Sequence, residues 1–141
     1  MEPVRFGILG AARISGIAIY EPAKLTGTPL LAIAARDQAR ADEIGGEIGI
    51  PRVYDSYQDV IDDPEIEAIY NPLPNGLHAP WNLRAIAAGK HVLTEKPFAS
   101  NADEARIVHD AGVAAGLHVI DAIHYRYHPL MTRMIEIVES G

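Results

Sequence analysis

The chain has 141 residues and no cysteine, which excludes disulfides, a thiolate nucleophile and a metal site built from cysteine. Basic residues are also in deficit: 12 Lys and Arg against 19 Asp and Glu give a net charge of −7. Nucleic acids and membrane surfaces select basic patches, so this balance argues against both as partners. No apolar run approaches the length of a membrane span and no signal-peptide pattern opens the chain, so we expect a cytoplasmic protein.

Short apolar runs alternate along the chain with segments of helical periodicity. We predict strands that run into Gly10 and that cover residues 30–35, 51–54, 66–70, 91–93 and 117–120. We predict six helices. The first begins near Arg13, the second runs from Asp37 to about Ile44 and is stopped by Gly45-Gly46, and the third covers residues 56–61. The fourth ends at Gly89, the fifth begins at a capping box of Ser100 and Asp103, and the sixth runs from about Pro129 to Val138. This alternation predicts an α/β fold with a doubly wound parallel sheet.

Small residues follow the first strand at Gly10, Ala12 and Ser15, with the spacing of a G-x-G-x-x-G fingerprint. That fingerprint serves a tight turn, a close approach of backbone to a pyrophosphate, and close packing of the next helix. A helix opening near Arg13 would offer free N–H groups and its positive dipole end to phosphate. Taken alone, the pattern suits a ligand-free strand–helix junction equally well.

The second strand ends in Arg36-Asp37, a little over 20 residues after Gly10, and Arg40 lies one helical turn further on. At this place an acid binds a free ribose 2′-hydroxyl, whereas an arginine accommodates a 2′-phosphate. A planar guanidinium suits phosphate, so NADP is favoured as the cofactor, with NAD possible. The alternative is that Asp37 only caps the next helix and Arg36 is solvated.

Glu95-Lys96-Pro97 closes the fifth predicted strand, where charged side chains suggest a site because they are almost never buried unpaired. Pro97 favours extended geometry at Lys96, which would aim its ammonium at a defined point. We predict that Lys96 is the catalytic acid or base, against the alternative of an ordinary strand-end lysine. Glu95 either orients Lys96 or pairs with another helix.

The remaining polar candidates receive simpler interpretations. His124 and His128 stand four residues apart, but no zinc motif surrounds them and Pro129 follows, so we expect no metal site. We expect Trp81 to pack in the core. The other histidines outside the Pro-rich turn should occupy surface or edge positions: His91, His109 and His118. Ligands of such sheets bind at the carboxyl ends of the strands, where Gly10, Arg36, residues 71–75, Lys96 and Asp121 all fall.

Five segments together carry a resemblance to a known family: residues 7–14, 35–37, 71–78, 89–97 and 124–129. Over essentially its whole length the chain resembles the amino-terminal part of the Gfo/Idh/MocA oxidoreductases. It looks most like the branch of dihydrodiol dehydrogenases and NADP-dependent xylose dehydrogenases. The resemblance implies a Rossmann domain over residues 1–122, then a linker and first helix over 123–141 that lead into a second α/β domain absent from this chain.

The resemblance also implies NAD(P)-dependent hydride transfer at a hydroxyl or carbonyl carbon of a sugar, cyclitol or diol, in a homo-oligomer when full length. Lys96 would touch both the nicotinamide ribose and the substrate hydroxyl. The implied cofactor-binding residues are Gly10, Ala12, Arg13, Ile14, Arg36, Asn71, Pro72, Leu73, Asn75, His78, Glu95, Lys96 and Arg126. Ala12 departs from the usual middle glycine, and His78 has the alternative of a helix-capping role.

Two other functions stay open on the sequence. The first is a non-catalytic nucleotide-binding or sensing module that keeps the cofactor site without a substrate domain. The second is a methyltransferase-like fold for S-adenosylmethionine, disfavoured because such folds normally place an acid where this chain has Arg36. If the chain is a truncated dehydrogenase, we expect the isolated 141 residues to be inactive.

Overall fold

A computed structural model describes residues 2–141. The six strands are β1 Phe6–Leu9, β2 Leu30–Ala34, β3 Arg52–Tyr54, β4 Ala68–Asn71, β5 His91–Thr94 and β6 Val119–Asp121. They form one sheet in the order β3-β2-β1-β4-β5-β6, and every neighbouring pair is parallel. The predicted doubly wound parallel sheet is therefore confirmed.

Helices cover both faces of this sheet. They are α1 Glu21–Thr26, α2 Gln38–Ile48, α3 Tyr57–Asp62, α4 His78–Ala87, α5 Ala102–Ala115 and α6 Pro129–Ser140, with a π-helical turn at Gly16–Tyr20 and 3₁₀ turns at Asn75–Leu77 and His124–Tyr127. No helix among residues 2–141 is long and apolar enough to cross a membrane.

The strand order creates a crevice between β1 and β4. From β1 the chain moves outward to β2 and β3, then returns to β4 beside β1 and continues to β5 and β6. The loops that follow β1 and β4 therefore leave the sheet in opposite directions at its carboxyl edge. Open α/β sheets bind ligands at such a switch point.

Two apolar cores hold the layers together. One core joins the sheet to α3, α4 and α5 and includes the fully buried Ile61, Ala85 and Val108. The other lies under the π-helical turn and α2 and includes Ile8 and Tyr70, both with no solvent exposure. Strands buried from both sides explain why the apolar runs of the sequence are continuous rather than alternating.

The predicted end of α2 is wrong. The helix continues through Gly45-Gly46 to Ile48 and stops at Gly49, which adopts the left-handed conformation with φ of 80°. Gly45 serves a different purpose, because a Cβ built on it would approach Cγ2 of Val53 to 2.6 Å. This glycine permits close packing of α2 on β3 instead of ending the helix.

Two predicted helix starts also differ. The segment after the glycine turn becomes helical at Ser15 and Gly16, two to three residues later than the predicted start near Arg13. Helix α5 is capped by Asn101, whose side chain accepts from the Glu104 N–H at 2.9 Å, while the Glu104 carboxylate accepts from the Ser100 N–H at 3.1 Å. The capping box is therefore displaced by one residue from the predicted pair.

Helix α6 confirms the predicted apolar segment at the carboxyl end. Leu130 is 64% exposed and Val138 is 80% exposed, so the apolar face of this helix lies in solvent. Residues 1–122 as the Rossmann domain and 123–141 as a linker with its helix remain a predicted division. Either way, α6 contributes nothing to the two cores described above.

Candidate functional site

A cavity of about 710 Å³ opens at the carboxyl edge of the sheet. That volume is within the range of small-molecule and cofactor sites. Five predicted cofactor residues line it: Gly10, Ala12, Arg36, Pro72 and Leu73. Its other walls are Ala11, Ala35, Asp37, Arg40, Asp55, Ser56, Tyr57, Pro74, Leu77 and Trp81. The ends of β1, β2, β3 and β4 thus share one cavity on the β3 side of the crevice.

Gly10 forms the turn at the base of this cavity. Its φ is +96°, a left-handed conformation that other residues rarely adopt, and its N–H donates to the Ala34 carbonyl at 2.6 Å. A Cβ at this position would approach Cδ2 of the buried Leu73 to 2.9 Å. The turn therefore requires glycine, as expected for a loop that brings backbone close to a dinucleotide.

The two predicted arginines both line the cavity but are held differently. Arg40 donates from Nε to the Ala11 carbonyl at 3.1 Å, which ties α2 to the loop after Gly10. Arg36 is exposed, and within residues 2–141 its guanidinium has no ion pair or hydrogen bond. Asp37 caps α2 by accepting from the Arg40 N–H at 3.3 Å. The capping role and the cavity role therefore coexist.

An aromatic wall closes the opposite side of the cavity. Trp81 is half-buried and packs against the core as predicted, but it also lines the cavity, which the sequence analysis missed. The Tyr57 and Trp81 rings meet edge to face with centroids 5.1 Å apart, and the Arg84 guanidinium lies 4.6 Å from the Trp81 ring centre. Tyr57 begins α3 three residues after the end of β3, so the expectation that ligands bind at the carboxyl ends of strands points to it.

Lys96 lies on the other side of the crevice, beyond β4. It is exposed, and its ammonium has no hydrogen bond or salt bridge within the described part of the chain. The following peptide bond to Pro97 is cis. Lys96 does not line the cavity. The carboxyl edge of the sheet therefore has a walled cavity on the β3 side of the crevice and an open region, which contains the Lys96 ammonium, on the β5 side.

Glu95, unlike its neighbour, is 5% exposed. Its Oε1 accepts from the Tyr70 hydroxyl at 3.0 Å and lies 3.9 Å from His124 Nε2. Burial raises the pKa of Tyr70, and the charge and hydrogen bond of Glu95 raise it further. Burial first and the Glu95 charge second also raise the pKa of Asp121, against a smaller opposing effect of His78.

Two predicted cofactor residues are committed to the scaffold. His78 is buried, with Nδ1 2.7 Å from the Pro97 carbonyl and Nε2 2.6 Å from the Leu73 carbonyl, so neither ring nitrogen is free for a ligand. The Asn71 amide donates to Asn82 Oδ1 at 2.7 Å and its Oδ1 accepts from the Leu73 N–H at 3.2 Å. Both side chains shape the turn after β4 that forms one cavity wall.

Besides Asn71, His78, Glu95 and Lys96, four further predicted cofactor residues lie outside the cavity. Arg13, Asn75 and Arg126 are exposed, and Ile14 is half-buried. Arg126 belongs to the 3₁₀ turn after β6, and the Asn75 carbonyl accepts from the Ser100 hydroxyl at 3.3 Å. Their contact with a cofactor stays a prediction.

The histidines outside this edge are structural or exposed. His91 opens β5, and its Nδ1 accepts from the His118 N–H at 3.0 Å, with ring centroids 5.3 Å apart. His128 caps α6 by accepting from the Leu130 N–H at 3.1 Å. His109 is exposed on α5. The exposed positions predicted for His109 and His118 are confirmed, whereas His91 is half-buried on β5, which lies inside the sheet between β4 and β6.

Comparison with known proteins agrees with this fold. The model of the Gfo/Idh/MocA oxidoreductases, described as an oxidoreductase family with an NAD-binding Rossmann fold, matches residues 4–120. The match covers most of the chain, and the chain belongs to this family. The resemblance seen in the sequence is thereby confirmed, and the S-adenosylmethionine alternative loses its support.

Named relatives include oxidoreductases of sugars and diols. The chain is 44% identical over 135 residues to D-xylose 1-dehydrogenase (NADP(+)) 2 of Haloferax volcanii and 33% identical over 140 residues to trans-1,2-dihydrobenzene-1,2-diol dehydrogenase of Mus musculus. These alignments cover 96% and 98% of the chain but 42% of each relative. The chain thus spans less than half the length of the curated relatives it matches.

A solved structure shows the same fold. A 3-ketoreductase from Actinomadura kijaniata, in complex with NADP and TDP-benzene, superposes with a TM-score of 0.90 at 29% identity. The alignment covers 99% of this chain and 43% of the reductase. The fold of this chain is therefore shared by part of a reductase whose structure was solved with NADP.

Proposed function

We propose that this chain binds NADP(H) across the carboxyl edge of its sheet. In the whole protein it is the cofactor-binding part of an oxidoreductase that moves a hydride between nicotinamide and a hydroxyl or carbonyl carbon of a sugar, cyclitol or diol. One observation carries the proposal. Two arginines line a cavity on one side of the crevice, while the ammonium of Lys96 has no partner within residues 2–141 on the other.

The side chains at the end of β2 support NADP over NAD. Among residues 2–141 the guanidinium of Arg36 has no partner, and Arg40 donates from Nε to the Ala11 carbonyl. Two guanidiniums at this place suit a 2′-phosphate, which carries charge that a 2′-hydroxyl lacks. The relative from Haloferax volcanii is named for NADP(+), and the reductase from Actinomadura kijaniata was solved with NADP.

The residues present fit a dinucleotide. The glycine turn at Gly10 would accommodate the pyrophosphate, Arg36 and Arg40 the adenosine phosphate, and Tyr57 with Trp81 the wall beside the adenosine half. The nicotinamide supplies the hydride chemistry when it is bound. The nicotinamide half would extend past β4 toward Lys96, because that is the side of the crevice opposite the cavity.

Lys96 would handle the proton of the reaction. Alcohol oxidation needs a base that takes the hydroxyl proton, and carbonyl reduction needs an acid that returns it. The exposed ammonium, which pairs with no carboxylate among residues 2–141, is available for either role and would stabilise negative charge on the substrate oxygen. The substrate, a polyol or sugar, would meet Lys96 on the open side of the edge.

The second candidate is a non-catalytic module that binds or senses the nucleotide. The observation that favours it is the open side itself, where Lys96, His124 and Arg126 are all exposed within this chain. In the dehydrogenase, we propose that another part of the protein closes this side and that the whole enzyme is a cytoplasmic homo-oligomer.

Stopped-flow hydride transfer on the whole protein separates these candidates. With NADP+ and D-xylose, other pentoses, cyclitols or trans-diols, we expect turnover that falls roughly a hundredfold in Lys96→Ala. The dissociation constant of NADP+ should change less than about twofold in this variant, since the proposed phosphate contacts at Gly10, Arg36 and Arg40 stay intact.

Lys24→Ala removes another exposed lysine, at the end of α1, and serves as the control that keeps wild-type turnover. NADP+ binding without turnover of any tested substrate would favour the sensing module. Turnover that survives Lys96→Ala would refute the role of Lys96.

A further inference from the structure

The buried carboxylate of Glu95 connects three parts of the site. Oε1 accepts from the Tyr70 hydroxyl on β4 at 3.0 Å, and Oε2 accepts from the main-chain N–H of Lys96 at 3.3 Å. The Glu95 N–H donates to the Asn71 carbonyl at 2.9 Å, which fixes the residue to the end of β4. His124, from the turn after β6, places Nε2 3.9 Å from Oε1.

Glu95 acts on the backbone of Lys96 and not on its ammonium. No ion pair joins the two side chains within residues 2–141, whereas the Lys96 N–H is bonded to the carboxylate. Burial of a carboxylate is costly unless donors compensate it, and Tyr70 supplies a buried side-chain donor. The geometry of Lys96 therefore depends on a hydroxyl that Lys96 never touches.

Tyr70 is suited to a fixed role as a donor. Its ring has no solvent exposure and belongs to the core under α2 and the π-helical turn. Burial and Glu95 both raise the pKa of its hydroxyl, so Tyr70 keeps its proton across the working pH range and does not act as a base. It also does not line the cavity, so its hydroxyl has no direct part in holding the adenosine half.

We propose that Tyr70 is a positioning residue: its hydroxyl holds the Glu95 carboxylate, which holds the main chain of Lys96 in the geometry needed for proton transfer. The functional part of this inference rests on the proposed dehydrogenase activity. The structural part, that Tyr70 orders the backbone of Lys96 through Glu95, stands on the hydrogen bonds alone.

The first test measures hydrogen exchange of the Lys96 amide by NMR on this chain. Tyr70→Phe keeps the buried ring and removes the hydroxyl, and we expect Lys96 amide exchange to accelerate at least about fivefold. Tyr54→Phe is the matched control, because Tyr54 also donates to a carboxylate, Asp63 Oδ2 at 3.1 Å, in another part of the fold. That variant should leave Lys96 exchange unchanged.

A double-mutant cycle tests whether the effect passes through Glu95. Glu95→Ala should accelerate Lys96 exchange by itself, and adding Tyr70→Phe should then cause no further change. Independent, additive effects of the two substitutions would overturn the route through Glu95. Unchanged Lys96 exchange in Tyr70→Phe would overturn the proposal outright.

The second test measures turnover of the whole protein with NADP+ and the best substrate found above. Tyr70→Phe should lower kcat roughly tenfold while the dissociation constant of NADP+ stays within about twofold, and Tyr54→Phe should keep wild-type kcat. Equal losses of kcat in both tyrosine variants would show general destabilisation and refute a positioning role. If even the wild type has no turnover, the proposed function fails, and hydrogen exchange alone decides whether Tyr70 orders Lys96.

Discussion

Replacement of Arg36 tests cofactor choice most sharply. Arg36 lines the cavity, is exposed, and has no hydrogen bond or ion pair elsewhere in the described chain, so Arg36→Ala breaks no internal contact. Any change in affinity then reports on the ligand. We expect wild-type chain to bind NADP+ at least tenfold more tightly than NAD+, a difference of about 1.4 kcal/mol.

The magnitude follows from the setting of the guanidinium. Hydrogen bonds to charged groups contribute about 1.5–3 kcal/mol, and solvent exposure of Arg36 places its contribution near the lower end. Arg36→Ala should therefore remove most of the tenfold preference while NAD+ affinity changes less than about twofold. Arg40, anchored to Ala11, accounts for the preference that remains.

Isothermal titration calorimetry with NADP+ and NAD+ gives both dissociation constants without relying on Trp81 fluorescence. Arg84→Ala is the control, because Arg84 carries the same charge close by but stacks on Trp81 and does not line the cavity. Wild-type preference for NADP+ should also shrink at high salt. Equal wild-type affinities, or an Arg36→Ala chain that still prefers NADP+ tenfold, would refute the assignment.

Three further outcomes are expected. Gly10→Ala should lower the free energy of unfolding in urea by about 1–3 kcal/mol because of its positive φ, whereas Gly46→Ala, in open space on α2, should not destabilise. Burial raises the pKa of Asp121 above 3.8, so the ionised carboxylate is less favourable in the folded state than in the unfolded state. The free energy of unfolding therefore falls as pH rises through the folded-state pKa of Asp121. Asp121→Asn should raise the free energy of unfolding near neutral pH but not at about pH 3. Light scattering should show concentration-dependent association of the chain that weakens when Leu130→Ser and Val138→Ser are combined, and a wild-type monomer at all concentrations would contradict this.

The sheet was predictable because parallel strands covered on both faces leave continuous apolar runs, as in residues 30–35. The end of α2 was not predictable, because a glycine that permits close packing and a glycine that ends a helix look alike in sequence. Gly45 makes room for Val53, a residue of the next strand, and Gly49 is the true stop. That distinction depends on a contact between two elements, which no local pattern records.

The site was predictable to a similar extent. Gly10 follows β1 directly and Arg36 lies two residues after β2, so the topology alone brings them into one cavity. His78 is among the residues that the sequence predicts to bind the cofactor, yet its ring nitrogens bond to the carbonyls of Leu73 and Pro97. Those partners are main-chain atoms of two separate turns, and their convergence appears only once the strands are aligned.

NMR mapping of NADP+ on this chain tests the central claim most directly. We predict amide shift changes on titration at residues 10–14, at Arg36 and Arg40, at Tyr57, and at Lys96 beyond β4. A second cavity of about 720 Å³, between α1, α2 and the start of β2, should show no change. Shifts confined to that second cavity, or none at saturating NADP+, would contradict a dinucleotide site at the carboxyl edge of the sheet.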